Sequence, residues 1–502
     1  MIEELVQNLS LVKTTLKEAD LYGHACHVLE FDKETICPPK AMEEQGEVTA
    51  FLSNKAFTLI KRPEFIKAAE YLYAHRDNLV NLDRVLVESL HRDYLRSKNI
   101  TPEMNHEFTL VFNRAFVHWL DAKKKADFSL FAPSLREVRD VNLKQISLRE
   151  EACPVPYDNL LDTYERGITC ADLDECFGKC KQRLIPLLKK ITASKKNIRT
   201  DFLTREVTDE QQHAMAEYLL KTIGFDFTRG SFTTTEHPFT DGLARNDARV
   251  TTHYYPKMFY SSMFSIIHEG GHALFEQNQP QEDYNYYINS LKTMGQHESV
   301  SRFYENRIGR SKAFIHLIYP KAKELFPQVF HDVSEQELYE AVNTVQPTLI
   351  RTEADEFTYT FHIIIRYEME KQIVNSSIDT AKLPQLWNDT YQQYLGVRPS
   401  NDREGILQDV HWASGFGYFP AYALGNMYNA MYYNRMVQDI DIEGNIQNGR
   451  FDIINAWMKE HVWKKANYQD ARTWIHDITD RDFTADDFLD YLEKKYTALY
   501  GL

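Results

Sequence analysis

Two histidines four residues apart, His268 and His272, enclose Glu269, Gly270 and Gly271 in a stretch without proline from 258 to 278. Apolar residues recur there at Phe259, Met263, Ile266, Ile267 and Leu274, the spacing of a helix with one buried face. On a helix, positions four apart share a face, so both imidazoles can reach one metal ion. At 3.6 residues per turn Glu269 stands about 100° from His268 and about 60° from His272. A carboxylate so placed flanks the ion without having to bind it, where a base must stand to take a proton from water. The bland alternative is a helix with two hydrogen-bonded core histidines. The two glycines speak against it. Each costs about 1 kcal/mol relative to alanine inside a helix, and a pair is easier to explain if something must approach that surface closely.

The rest of the chain must supply a core and a third ligand. At 502 residues, with 43% hydrophobic and 13% aromatic content, it has the composition of a large folded protein. Length alone allows two to four domains or one large helical unit. A net charge of −15 argues against a nucleic-acid or anionic-membrane surface. Local basic runs, such as Lys123-Lys124-Lys125, read as solvated helix faces. Six scattered cysteines are too few for a disulfide framework and suit a reducing compartment, so a cytoplasmic location is expected. Cys176 and Cys180 have no partner pair at zinc-finger spacing and read as core thiols. Met1-Ile2-Glu3-Glu4-Leu5 does not resemble a signal peptide, and no apolar run is long enough for a bilayer.

Most of the chain carries apolar spacings of three and four. Helices are predicted over 2–31, 40–61, 82–97, 105–126, 171–195, 209–223, 334–344, 353–374 and 452–468. Thr208 and Ser334, each followed three residues later by Gln or Glu, are capping boxes. The segment from Gly230 to Tyr255 is different. Its Thr-rich, β-branched alternation predicts two or three short strands just before the metal helix, and an edge strand there could pair with an extended peptide. No phosphate-binding glycine loop is present.

Catalytic zinc takes three protein ligands and keeps one position open. After His272 the candidates are Glu276, Glu298, Glu305 and His297. Glu298 lies in a further helical stretch, 295–306, although an ion pair with Arg302 four residues on would also account for it.

At this point the sequence resembles a known family, the M32 metallocarboxypeptidases of the carboxypeptidase Taq type. The matching segments, in order, are His237-Pro238-Phe239, Asp247-Ala248-Arg249-Val250-Thr251, the HExxH, His297-Glu298-Ser299, Ile350-Arg351-Thr352-Glu353-Ala354-Asp355-Glu356 and Gly405-Ile406-Leu407-Gln408-Asp409-Val410-His411-Trp412. Weaker matches upstream, at 35–38 and 157–161, extend the resemblance over nearly the whole chain. Val300 and Arg166 depart from the family pattern, which carries Gln and Pro there. The resemblance implies His268, His272 and Glu298 as metal ligands and Glu269 as general base. It also implies a mainly helical, two-lobed fold around a deep groove, with a small β-sheet near the site. One peptidase domain would span 1–502, with an N-terminal helical lid over roughly 1–150 and the catalytic helices over roughly 151–502. A homodimer is the usual assembly.

The expected reaction is release of single C-terminal amino acids, with broad specificity, from peptides with a free C-terminus. Zinc is the expected metal, with cobalt or manganese as substitutes in such N/O sites. Oxyanion donors are sought in His411 and Tyr418, seven residues apart as in helical peptidases of the angiotensin-converting type, with Tyr422 as the substitute for Tyr418. A carboxypeptidase also needs a cation for the substrate carboxylate, and arginine's planar fork suits it. Arg351 is the first candidate and Arg249 the second, although either could be a structural ion pair, for Arg351 with Asp355 or Asp409. His237 is placed against substrate backbone, supported by Pro238 and Phe239. The competing readings are an oligoendopeptidase or dipeptidyl carboxypeptidase with the same metal chemistry, and a helical binding scaffold without catalysis.

Overall fold

The structure, a computed structural model, describes residues 2–376 and 378–502. It is mainly helical with one three-stranded sheet. The expected helices are present, among them Ile2–Thr35, Met42–Ile60, Asn81–Ser97, Pro102–Lys125, Cys170–Thr192 and Asp209–Ile223. Thr208 and Ser334 both form reciprocal capping boxes, with Gln211 and Glu337. Cys176 and Cys180 are buried on the Cys170–Thr192 helix, and all six thiols are free. Among the described residues no helix is long and apolar enough to cross a membrane.

Three expected helices begin or end differently: 452–468 stops at His461 and gives way to a 3-10 turn at Trp463–Lys465, and the other two depart for a local reason. The stretch 353–374 becomes a 3-10 turn at Arg351–Glu353 and a helix only from Tyr359 to Asn375. Asp355 interrupts it. Its carboxylate accepts the backbone N–H groups of Phe357, Thr358 and Gln346, which competes with the helical bonding pattern. The stretch 295–306 is α-helical over Met294–Arg302 and then widens into a π-helix over Phe303–Gly309. π-Helical turns are rare and concentrate at functional sites.

The sheet comprises β1 (Gly230–Thr234), β2 (Thr240–Ala244) and β3 (Asp247–Thr252) in the order β1-β3-β2. β1 runs parallel to β3 and β2 antiparallel to it. The outer edge of β2 is not open along its length, because His24 of the first helix bonds the Leu243 carbonyl at 2.9 Å.

Two hydrophobic cores underlie the architecture. The larger runs from Phe108 to Tyr500 and contains the metal helix, Phe259–Asn278. The smaller is built from Leu5, Val12, Phe65, Ala68, Leu72, Leu86, Val87 and Ile288, so the first helices carry a core of their own and meet the body near Tyr286 and Tyr468.

The candidate metal site and its groove

Gly270 and Gly271 explain how the metal helix sits so deep. A Cβ on Gly271 would lie 2.8 Å from the Ser301 Cα and 3.1 Å from the Val300 carbonyl oxygen. One on Gly270 would meet Ile223 Cδ1 at 2.6 Å and Leu220 Cδ2 at 2.9 Å. What approaches closely is therefore the protein itself, on two sides. On the Gly271 side it is the helix that carries Glu298. On the far side of that helix Gly425 leaves room for Glu298, whose Cγ would stand 2.9 Å from a Cβ there. The start of the Glu298 helix is pinned as well. The buried Glu165 carboxylate accepts from Thr293 Oγ1 (2.8 Å), the Gly295 amide (2.7 Å) and Tyr428 Oη (3.0 Å). Burial pushes the Glu165 carboxyl up to about 7 against those three bonds.

Packed this way, His268, His272 and Glu298 bring one donor atom each within 4.8 Å of one another. Both imidazole Nε2 atoms face the same carboxylate oxygen, Glu298 Oε2, at 3.7 Å from His268 and 3.4 Å from His272. Two donors bound to one tetrahedral zinc at the usual bond lengths stand about 3.3 Å apart, so the spacing suits an ion between them. The donor set, two imidazoles and one carboxylate, is that of catalytic zinc. The other Glu298 oxygen, Oε1, accepts from Arg302 Nε at 2.7 Å. The metal reading and the ion-pair reading of Glu298 thus use different oxygens. Burial alone would raise the Glu298 carboxyl, but Arg302 and the two histidines outweigh it and hold it well below its ordinary value.

The remaining candidate ligands surround this trio. Glu305, on the π-helical turn, accepts from His268 Nδ1 at 2.8 Å, which fixes the ring and turns Nε2 inward. Arg302 also bonds Glu305 Oε2, at 3.1 Å. His297 stacks on His272 with ring centroids 4.4 Å apart and bonds Glu276 at 2.8 Å, and Lys292 reaches the same Glu276 oxygen at 3.2 Å. Glu276 and His297 are thereby spent on each other. If Glu305 orients His268, Glu305→Gln should weaken divalent-metal binding about 10–100-fold with the three donors intact. Competition against a chelator reads this directly, and an unchanged affinity would remove Glu305 from the site.

Glu269 is buried, and the Thr240 hydroxyl at the head of β2 donates to its Oε2 at 2.7 Å. This link, which the sequence reading missed, couples the sheet to the HExxH helix. The donors and Glu269 open into a groove of about 940 Å³, also lined by His237, Arg351, Tyr418 and Tyr422. Phe239 is strapped to β3 through Thr251, its amide donating to Thr251 Oγ1 at 2.7 Å, and so steadies His237 at the rim. Tyr418 and Tyr422 meet edge to face at 5.2 Å, and burial raises both phenols above their ordinary value.

Two residues sit otherwise than expected, and a third, Arg351, combines the two roles considered for it. Arg249 does not line the groove: its fork is closed on Asp247 at 2.9 and 2.8 Å, two residues away on β3, beside the Phe31 ring. His411 stands behind the tyrosines, its ring 4.4 Å from Phe419, and burial lowers it to about 4, so it is neutral at pH 7. Arg351 lines the groove and is also paired. Its Nε and Nη2 donate to Asp409 Oδ1 at 3.1 and 3.0 Å, and Nη1 donates to Tyr359 Oη at 3.2 Å. Arg366 holds the other Asp409 oxygen. The 405–419 segment is in turn anchored by Glu370, which accepts from Trp412 Nε1 (2.8 Å), the Gly417 amide (2.9 Å) and Tyr157 Oη (2.5 Å).

Comparison with known proteins gives the same picture. The family model of the carboxypeptidase Taq (M32) metallopeptidases matches residues 11–496. Carboxypeptidase 1 of Bacillus subtilis (strain 168) is 38% identical, covering 97% of this chain and 97% of its own. Thermostable carboxypeptidase 1 of Thermus thermophilus is 34% identical over 94% of each chain. The crystal structure of the M32 carboxypeptidase from Deinococcus radiodurans R1 superposes with a TM-score of 0.94 at 30% identity, over 100% of both chains. With its match along nearly its full length and a His-His-Glu cluster on the groove wall, this chain belongs to the M32 family and is a metallocarboxypeptidase.

Proposed function

We propose that this protein removes single residues from the free C-terminus of peptides, with zinc held by His268, His272 and Glu298. The observation that carries the reading is the pairing of that donor trio with a buried carboxylate, Glu269, in one groove. Zinc in such a site polarises the peptide carbonyl and lowers the pKa of water to about 7.

The chain's own groups account for the rest. Glu269 takes the proton of the attacking water on a carboxylate oxygen and returns it to the leaving amine nitrogen. The Thr240 hydroxyl holds Glu269 Oε2 and so orients the carboxylate. Tyr418 and Tyr422, protonated at neutral pH, donate to the oxyanion, with His411 as a packing support behind them. The substrate backbone lies along His237 and the head of β2. The N-terminal helices, with their separate core, act as the lid.

Arg351 supplies the cation for the terminal carboxylate. Three of its five N–H groups are taken by Asp409 and Tyr359, which leaves two for the substrate. Asp409 then serves to aim the fork. Arg351→Ala should lower kcat/KM on carboxylate-ended peptides by about 2–5 kcal/mol of lost pairing, while C-terminally amidated peptides lose far less. Equal losses on both substrates would make Arg351 purely structural.

Assembly as a homodimer is part of the same proposal. It is supported by the exposed Leu110, Phe116, Val117 and Leu120 along the Pro102–Lys125 helix, an apolar stripe unusual for a solvent-facing surface. Mass spectrometry of a timed peptide digest tests the activity. A ladder shortened by one residue at a time supports it, whereas loss of dipeptides or internal cuts favours another HExxH peptidase.

A further inference from the structure

The two imidazoles of the metal helix are steadied by different means. A metal-bound histidine ordinarily donates its second ring N–H to an acceptor, which fixes the plane of the ring. His268 does so through Nδ1, to Glu305 at 2.8 Å. His272 does not. Its Nδ1 is buried, and no group among the described residues accepts from it. What holds the His272 ring is another ring. His297 lies almost parallel to it, with centroids 4.4 Å apart and planes 18° apart. The same imidazole stacks on Phe275, one helical turn along, at 5.2 Å and 28°.

His297 is itself held in place. Its Nε2 bonds Glu276 Oε1 at 2.8 Å, and Lys292 reaches that oxygen at 3.2 Å. The other oxygen, Glu276 Oε2, accepts from Gln279 at 2.6 Å. Gly242 lets β2 come close against this carboxylate, since a Cβ there would stand 2.8 Å from Glu276 Cδ. The acid has no room to swing, and the ring bonded to it is fixed with it. His272, Phe275 and Glu276 all belong to the metal helix, whereas His297 precedes Glu298 on the neighbouring one. One side chain thus locks the helix that gives two donors to the helix that gives the third. His297 is not one of the clustered donors. We infer that His297 is a positioning residue for the metal site, whose ring stack fixes the plane of His272 in place of the missing hydrogen bond. The inference rests on the metal reading of His268, His272 and Glu298. It gives a use to a residue that spacing alone offered only as a rival ligand.

Two substitutions separate the ring from its bond. His297→Gln keeps a donor for Glu276 and removes the ring, and His297→Phe keeps a ring and removes the bond. Zinc affinity is read by competition against a chelator. Ligand geometry is read from the visible absorption of the cobalt-loaded protein, which follows the arrangement of the donors. His297→Gln should bind zinc about 10–100-fold more weakly than the parent and shift the cobalt bands. His297→Phe should stay within about threefold of the parent, because the stack persists. A role in stability alone would lower the denaturant midpoint of His297→Gln and leave the affinity and bands of the folded protein unchanged. If His297→Gln does not fold, His297→Leu, also without an aromatic ring, takes its place. Parent-like affinity and bands in the ringless variant, or a loss in His297→Phe as large as in His297→Gln, overturns the assignment. His268→Ala, which removes a donor, tells this failure from failure of the metal site. A parent protein that holds no more zinc than His268→Ala sinks the site and this inference together. A parent that does, beside an equally tight His297→Gln, leaves the site standing and removes His297 alone.

Discussion

Replacing Glu269 with glutamine is expected to lower kcat by a factor on the order of 10²–10⁴, the usual worth of a positioned general base. Metal content should not change, because Glu269 is not one of the three clustered donors. The glutamine carbonyl can still accept the Thr240 hydroxyl, so the local structure should persist. What it cannot do is receive a proton. The variant therefore separates proton transfer from metal binding. Turnover on a carboxylate-ended peptide, measured beside zinc content, gives both numbers from one preparation. A loss below tenfold, or a parallel loss of zinc, would remove Glu269 from the role of base.

The second large effect comes from a residue with no side chain. Gly271→Ala places a methyl group 2.8 Å from the Ser301 Cα, against backbone that cannot turn aside. Overpacking of this kind costs about 1–3 kcal/mol of stability. The strain falls on the helix that presents Glu298, so zinc affinity should drop by about tenfold or more. Gly270→Ala is the matched control. Its methyl would press on Ile223 and Leu220 of the neighbouring helix, away from the donors. It should lose less stability, because Ile223 Cδ1 and Leu220 Cδ2 are side-chain ends that can shift, and it should keep its metal. Denaturant midpoints and chelator competition on the two variants separate the effects, and normal zinc binding in Gly271→Ala would refute the packing account.

These two variants also mark what the sequence could and could not reveal. The His268–His272 pair, the helix beneath it and the strands before it were legible because each rests on local periodicity. The glycine pair signalled close approach, but not what approaches; that needed the Ser301 backbone, thirty residues on. Spacing alone left Glu298 and Glu305 as rivals. They divide the work because the helix widens into a π turn after Arg302, which sets Glu305 against His268 Nδ1 while Glu298 faces both Nε2 atoms. Nothing in a hydrophobic pattern announces such a turn. Arg351 was picked out correctly as a groove residue, yet its hold by Asp409 crosses 58 positions of sequence. Arg249, the second candidate, lies outside the groove lining: its partner, Asp247, is two residues away on the same strand, and a local ion pair sufficed. Thr240 escaped notice because a lone threonine in a Thr-rich strand carries no signal until the strand docks on the helix.

The central assertion is that one divalent cation is shared by His268, His272 and Glu298. Zinc-edge anomalous diffraction from crystals of the zinc-loaded protein tests it most directly. The expected result is one strong peak about 2.0–2.2 Å from His268 Nε2, His272 Nε2 and Glu298 Oε2. A peak held by Glu305 or Glu276 in place of Glu298, or no peak between the two imidazoles in an active preparation, would contradict it.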